Sequence, residues 1–150
     1  MLDKIDLLAL RELERDGRLS FAALGERIGL SKSPCWKRVA ALEESGAIES
    51  YRAVLDPAAL GLSITAFVRA TVAFADHQRF EDAIAGHPCI VACFATVGDT
   101  DYLLHVVTRS MDSLDDFLRN RLWRLPGVER FSTTISTRRV RTNGLLSEIP

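Results

Sequence analysis

A chain of 150 residues, 47% apolar and 26% charged, has ordinary globular composition and room for one large domain or two small ones. Nineteen basic against twenty acidic residues leave a formal net charge of −1, which excludes a uniformly basic nucleic-acid binder but not a local basic patch. No apolar run approaches the roughly 18 residues of a membrane span, the opening MLDKIDLL has no export-signal pattern, and three cysteines suit a reducing cytosol better than a disulfide framework.

The first half reads as three helices. Asp3 is a cap for a segment whose Ile5, Leu8, Ala9 and Leu13 follow helical spacing, and Gly17 ends it. Ser20 caps FAALGERI, which stops at Gly29. A third helix starts within SKSPCWKR, with Ser33 as the expected N-cap and Pro34 at the first helical position, and runs to Gly46. From there AIESYRAVL alternates as a strand until Asp56-Pro57 and Gly61 break it. These signals divide the chain into residues 1–46, a strand-bearing hinge at 47–61, and a second module at 62–150.

The second module alternates strands and helices. SITAFVRATVAF is a strand, DHQRFEDAIAG a helix with Phe80, Ala83 and Ile84 on one face, and IVACFATV-GDTD-YLLHVVT a hairpin. SMDSLDDFLRNRLWRL carries a stripe of Leu114, Phe117, Leu118, Leu122 and Leu125, and after Pro126-Gly127 comes the last strand, VERFSTTISTRRV. The order β-α-β-β-α-β is that of a ferredoxin-like sandwich, so the chain is of the α+β class. Two helices cover only one face of such a sheet. The first strand nevertheless places Ala66, Val68, Ala70, Val72 and Phe74 on one face and Phe67 and Ala73 on the other, and the middle strands are apolar on both sides. A second subunit on the open face is the expected cover.

The turn Gly29-Leu30-Ser31-Lys32 between the second and third helices fits a helix-turn-helix. On the third helix Cys35, Val39 and Leu42 fall on one side and Ser33, Trp36, Lys37 and Ala40 on the other. Between Arg27 and Arg38 there are four cations (Arg27, Lys32, Lys37, Arg38) and no acid. A helix that shows serine, tryptophan and lysine from a basic end is suited to double-stranded DNA. Ser33, Trp36 and Lys37 would lie near base edges or backbone and Arg27, Lys32 and Arg38 on phosphates, with Ser31 also among the DNA-binding residues.

The chain resembles the Lrp/AsnC (leucine-responsive, feast/famine) family of transcription factors. The matching residues are Leu2-Asp3-x-Ile5-Asp6, Asp16-Gly17-Arg18, Leu30-Ser31-x-Ser33-Pro34-Cys35, Arg38-Val39, Leu42-Glu43-x-x-Gly46-x-Ile48, Tyr51-x-Ala53-x-Leu55-Asp56-Pro57 and Leu60-Gly61. Phe94, Gly98-Asp99-x-Asp101-Tyr102-Leu103 and Leu125-Pro126-Gly127-Val128 continue them through the second half. Thr100, where members often carry an aromatic residue, and the tail LLSEIP depart from the pattern. The resemblance implies an N-terminal winged-type helix-turn-helix domain followed by a ferredoxin-like βαββαβ (RAM/ACT-like) effector and oligomerisation domain. It implies dimers that pair through their sheets and assemble into tetramers or octamers, a nucleoid-associated cytoplasmic protein, and an amino-acid effector bound between dimers, near Gly98, Asp99, Thr100, Asp101 and Tyr102 and the polar face of the last strand.

Those residues suit the role chemically. Gly98 allows a tight turn, Asp99 and Asp101 can accept an ammonium group, free backbone N–H groups can hold a carboxylate, and Thr133, Thr134 and Ser136 add hydroxyls. By themselves they also read as ordinary turn chemistry and a threonine-rich strand. His87-x-Cys89-x-x-x-Cys93 offers no fourth metal ligand, neither a phosphate-binding glycine loop nor a nucleophile motif occurs, and no cofactor is expected. Two readings stand beside the regulator. One is an enzyme like the siroheme decarboxylases, which share the two-module architecture, and the other is an amino-acid sensor that does not bind DNA.

Overall fold

The computed structural model describes residues 2–142 and 144–149. The chain divides into two compact units, Met1–Val54 with Arg141–Pro150, and Leu55–Val140. Among the described residues no helix is long and apolar enough to cross a membrane.

In the first unit α1 (Lys4–Arg15) starts at a reciprocal cap. The Asp3 carboxylate accepts the N–H groups of Ile5 and Asp6 at 2.8 Å, and Asp6 accepts the Asp3 N–H at 2.9 Å. α2 (Phe21–Ile28) is capped by Ser20, which accepts the Ala23 N–H at 3.1 Å, and ends at Gly29. α3 (Lys32–Glu44) buries Cys35, Val39 and Leu42 against Ala9, Leu13, Leu24 and Ile28, the face that helical spacing selects.

Two local expectations fail here. α3 begins at Lys32 with Ser31 as N-cap, two residues before the start that cap chemistry favoured. Proline tolerates the change because its missing N–H still falls within the first turn, where no intrahelical acceptor exists. The first bond of the ladder runs from the Cys35 N–H to the Ser31 carbonyl, 3.1 Å. The alternating segment 47–55 forms no strand. Its Ile48 N–H closes onto the Leu42 carbonyl at 3.1 Å and the Tyr51 hydroxyl donates to Glu43 at 2.9 Å. A strand needs a neighbour for its backbone groups, and the described residues of this unit form no sheet to supply one. The closing segment packs on α1, where Glu14 accepts the N–H groups of Leu146 (2.7 Å) and Ser147 (2.9 Å) and Arg15 pairs with Glu148.

The second unit holds β1 (Ile64–Val72), α4 (His77–Ile84), β2 (Ile90–Ala95), β3 (Tyr102–Thr108), α5 (Met111–Asp116) and β4 (Val128–Ile135). All three ladders are antiparallel, in the order β2-β3-β1-β4, which is the ferredoxin-like arrangement that the element order predicts. Phe80 of α4 and Leu114, Phe117 and Leu122 of the second helical segment pack on Ala66, Val68, Ala70 and Val72. The strands at both ends are shorter than expected. β1 stops at Val72, and Phe74 turns out into solvent in a 3-10 turn, 89% exposed, instead of joining the core face.

After α5 the helix continues as a π turn (Phe117–Arg121) and a 3-10 turn (Leu122–Arg124). The cause is the spacing of its apolar residues. Phe117 and Leu122 lie five apart, so a regular α-helix would splay them, whereas a turn of i→i+5 bonding brings both onto the sheet.

The opposite face of the sheet carries Phe67, Leu103, His105 and Phe94. Phe67 stands directly across from His105 and Arg69 from Leu103, and directly opposed residues share a face. The Phe67 and His105 rings stack at 5.0 Å, and burial lowers the His105 pKa. Phe94 remains 59% exposed. Within this unit nothing covers that face.

Candidate functional site

The basic helix end presents a defined face. Ser31, Lys32, Ser33, Trp36 and Lys37 are all exposed, Trp36 by 53%, while Cys35 and Val39 anchor the helix from behind. The Ser31 side chain makes no cap bond. The first amides of a 13-residue helix therefore point outward with a partial positive charge, next to two lysines that make no ion pair among the described residues.

The four cations do not act as one set. Arg27 pairs with Glu12 at 2.7 Å, and Arg38 with Asp3 (2.7 Å) and Asp6 (2.6 Å), bonds that raise its pKa. These pairs engage Arg38, one of the cations expected on a phosphate, with acids of its own chain. Its guanidinium ties α3 to the capped end of α1, because the acids needed for the cap also face it across the helix pair. Lys32 and Lys37 are the cations left free of such pairs among the described residues.

Sequence inspection missed Gly25. A Cβ built there would stand 2.5 Å from the Leu30 carbonyl oxygen and 3.6 Å from the Cys35 Cβ. The Gly25 carbonyl accepts the Leu30 N–H at 2.8 Å. This contact sets how closely the turn between α2 and α3 folds back. A glycine inside an otherwise good helix pattern was the available signal.

The second candidate site lies at the β2–β3 loop and is only partly assembled as expected. Gly98 has φ +142°, a conformation that favours glycine, with open space around it. Asp99 is exposed, and the Thr100 carbonyl accepts the Thr96 hydroxyl at 2.6 Å. Three predicted residues face elsewhere. The Asp101 carboxylate accepts the Val72 N–H at 2.9 Å, where the β1–β4 register shifts. Tyr102 is buried and donates its hydroxyl to Glu81 at 2.7 Å, and burial together with that carboxylate pushes its pKa up to about 12. Thr133 opposes the buried Val68 and so points to the helix side, its buried hydroxyl without a partner among the described residues, whereas Thr134 opposes Phe67 on the open face. The Ser136 hydroxyl donates to the Arg138 carbonyl at 3.1 Å. Period-two alternation cannot send Thr133 and Thr134 to one site.

Beside Asp99 and Thr100 lies a depression of 390 Å³ bounded also by Arg69, Thr71, Arg130 and Ser132. Neither arginine stood out in the sequence, although Arg69 is a lone charge in an apolar strand. Asp101 itself is structural: Asp101→Ala is expected to strand the Val72 N–H and cost about 1–3 kcal/mol of stability. Urea unfolding checks this, and an unchanged midpoint would refute it.

A helix-turn-helix unit joined in one chain to a ferredoxin-like unit defines a two-domain DNA-binding regulator. Residues 2–49 match the model for a winged helix-turn-helix DNA-binding domain, and residues 65–146 that for the Lrp/AsnC ligand binding domain. The Bkd operon transcriptional regulator of Pseudomonas aeruginosa is 38% identical over 142 residues, 93% of each chain. The leucine-responsive regulatory protein of Escherichia coli K12 is 37% identical over 148 residues, covering 97% of this chain and 90% of that one. A transcriptional regulator of Neisseria meningitidis in complex with L-methionine superposes with a TM-score of 0.92 at 32% identity, covering 97% of this chain and 96% of that one. Bacillus subtilis LrpC superposes at 0.86 with 34% identity, covering 95% and 99%. The chain belongs to the Lrp/AsnC family of transcriptional regulators. It is a DNA-binding regulator and not an enzyme, which sets aside both the decarboxylase and the sensor without DNA binding.

Proposed function

We propose that this regulator reads DNA with α3 and responds to a small amino-acid effector held by its second unit. The observation that carries the DNA half is the uncapped start of α3, flanked by Lys32 and Lys37 and fronted by Ser33 and Trp36. Uncapped amides and lysines suit phosphates, and the serine and tryptophan suit groove contacts. Ser31 lies on the same rim. Arg27 and Arg38, partly exposed and paired with acids of α1, lie at the edge of this face as further phosphate contacts.

The division of labour is DNA reading by residues 1–46, a hinge at 47–61, and effector binding and self-association from residue 62. The uncovered face with Phe67, Phe94 and Leu103 supports dimers joined sheet to sheet, with tetramers or octamers built from them. Two α3 helices of one dimer would meet half-sites of a pseudo-palindrome about one helical turn apart. The protein works where the chromosome is, in the cytoplasm at the nucleoid. An amino-acid effector is supported by the ligand-binding family model and by the L-methionine complex of the Neisseria neighbour. Its contacts are Gly98, Asp99, Thr100 and Thr134, with Ser136 at the strand end.

The test is a gel shift on the chain's own upstream DNA across a salt series, repeated with a panel of amino acids. Sequence-selective, salt-sensitive binding that one amino acid shifts is the expected result. Selective binding that no amino acid alters overturns the effector half, and binding without selectivity overturns the reading role of α3.

A further inference from the structure

The chain passes between its two units twice, at Val54–Leu55 and again at Val140–Arg141. The two links are held together on both sides of the passage. In the second unit Asp56, just past the first crossing, pairs with Arg139, just before the second, at 2.9 Å. In the first unit both links line one groove of 530 Å³ on α1. Leu7 and Leu10 of the helix share it with Ile48 and Tyr51 of the first link and with Leu146 and Ser147 of the second. Tyr51 is fixed there by its bond to Glu43 of α3.

The second link is held to α1 by polar bonds. One oxygen of the Glu14 carboxylate accepts the Leu146 N–H at 2.7 Å, the other accepts the Ser147 N–H at 2.9 Å, and Arg15 donates to Glu148 at 2.7 Å. None of residues 144–149 belongs to the buried core of the unit or to the partly buried apolar side chains packed on it. The segment therefore adds little to the stability of the helix-turn-helix, yet three charge-assisted bonds fix its place. Its contribution is mechanical. A unit joined through one link can swivel about it, and a unit joined through two cannot.

Between Tyr51 and Pro57 the first link consists of residues 52–56, with no helix or strand. Fully extended, such a stretch spans about 17 Å. Five base pairs inserted between two half-sites move them about 17 Å apart and turn one by about half a helical turn. Helix-turn-helix units on the first link alone can follow that displacement, whereas units held by both links cannot.

We propose that residues 144–149 are a strap that fixes the orientation of the helix-turn-helix and so sets which half-site spacing the regulator accepts. Glu14, Arg15 and Glu148 are its positioning residues. The strap rests on the paired reading of half-sites proposed above.

Gel shifts on the footprinted upstream site, and on the same site with five base pairs inserted between its half-sites, test this. For the full chain the insertion is expected to weaken binding about 100-fold, the lower end of what engaging two sites at once adds. For a chain ending at Gly144 the loss is expected to be below about tenfold, with an unchanged melting temperature. Arg15→Glu, which sets two carboxylates against each other, is expected to relax the spacing preference, and adding Glu148→Arg to restore it. That pair keeps the test open if the shortened chain folds poorly. Equal spacing preference in the full chain and a folded shortened chain overturns the strap and leaves paired reading standing. A full chain indifferent to the insertion overturns both. No relaxation in Arg15→Glu, or relaxation that Glu148→Arg does not restore, overturns the assignment to this contact.

Discussion

Replacing Lys32 and Lys37 together by glutamine is expected to weaken DNA binding about 60-fold at ~0.1 M salt and to flatten the salt dependence. Each phosphate contact on duplex DNA contributes about 0.9 to the slope of log affinity against log salt. Two contacts remove about 1.8 from the slope, which, referred to 1 M salt, gives the stated factor. Both lysines are exposed and unpaired among the described residues, so the double variant should fold normally. An unchanged slope would remove this face from the DNA interface. Arg38→Ala should behave differently. Because Arg38 is held by Asp3 and Asp6, its loss loosens the α1–α3 pair, and weaker DNA binding should come with a lower melting temperature.

Gly25→Ala should disable the same unit without touching its surface. The added methyl meets the Leu30 carbonyl oxygen at 2.5 Å, and backbone on both sides must move to relieve it. Overpacking of this kind costs about 1–3 kcal/mol. For a unit of this size that corresponds to a fall of roughly 10 °C in its melting temperature. The relief also tilts α3 relative to α2, so DNA affinity should fall even at temperatures where the unit stays folded. Calorimetry and gel shifts on the same preparation check both, and a melting temperature within a degree of the parent would show that the turn has slack.

The legibility of each part depends on the range of the interactions behind it. The caps at Asp3 and Ser20, the buried stripe of α3 and the strand–helix order of the second unit depend on neighbours a few residues apart, and alternation or helical spacing displays those directly. The α3 start differs from the one cap chemistry favours because Ser31 and Ser33 are both cap-type residues, and in the fold the helix begins after Ser31 without a side-chain cap bond. The segment 47–55 has a strand's pattern but no strand, since pairing requires a second segment that its own residues cannot supply. The effector residues show the same division. Gly98 and Asp99 are recognisable as a turn, whereas the use of Asp101 to bind the Val72 N–H depends on β1 lying beside the loop.

By itself the amino-acid sequence determined the α+β class, the helix-turn-helix, the ferredoxin-like order and the family, because periodicity, capping and fixed-spacing motifs are local properties of the chain. Only the tertiary structure decided which charges remain available. It neutralised Arg27 and Arg38 with acids from α1, left Lys32 and Lys37 exposed, turned Thr133 inward, and brought Arg69 and Arg130 together beside Asp99. Charge pairing depends on distance in space, and residues tens of positions apart acquire that distance only when helices pack and strands take their register.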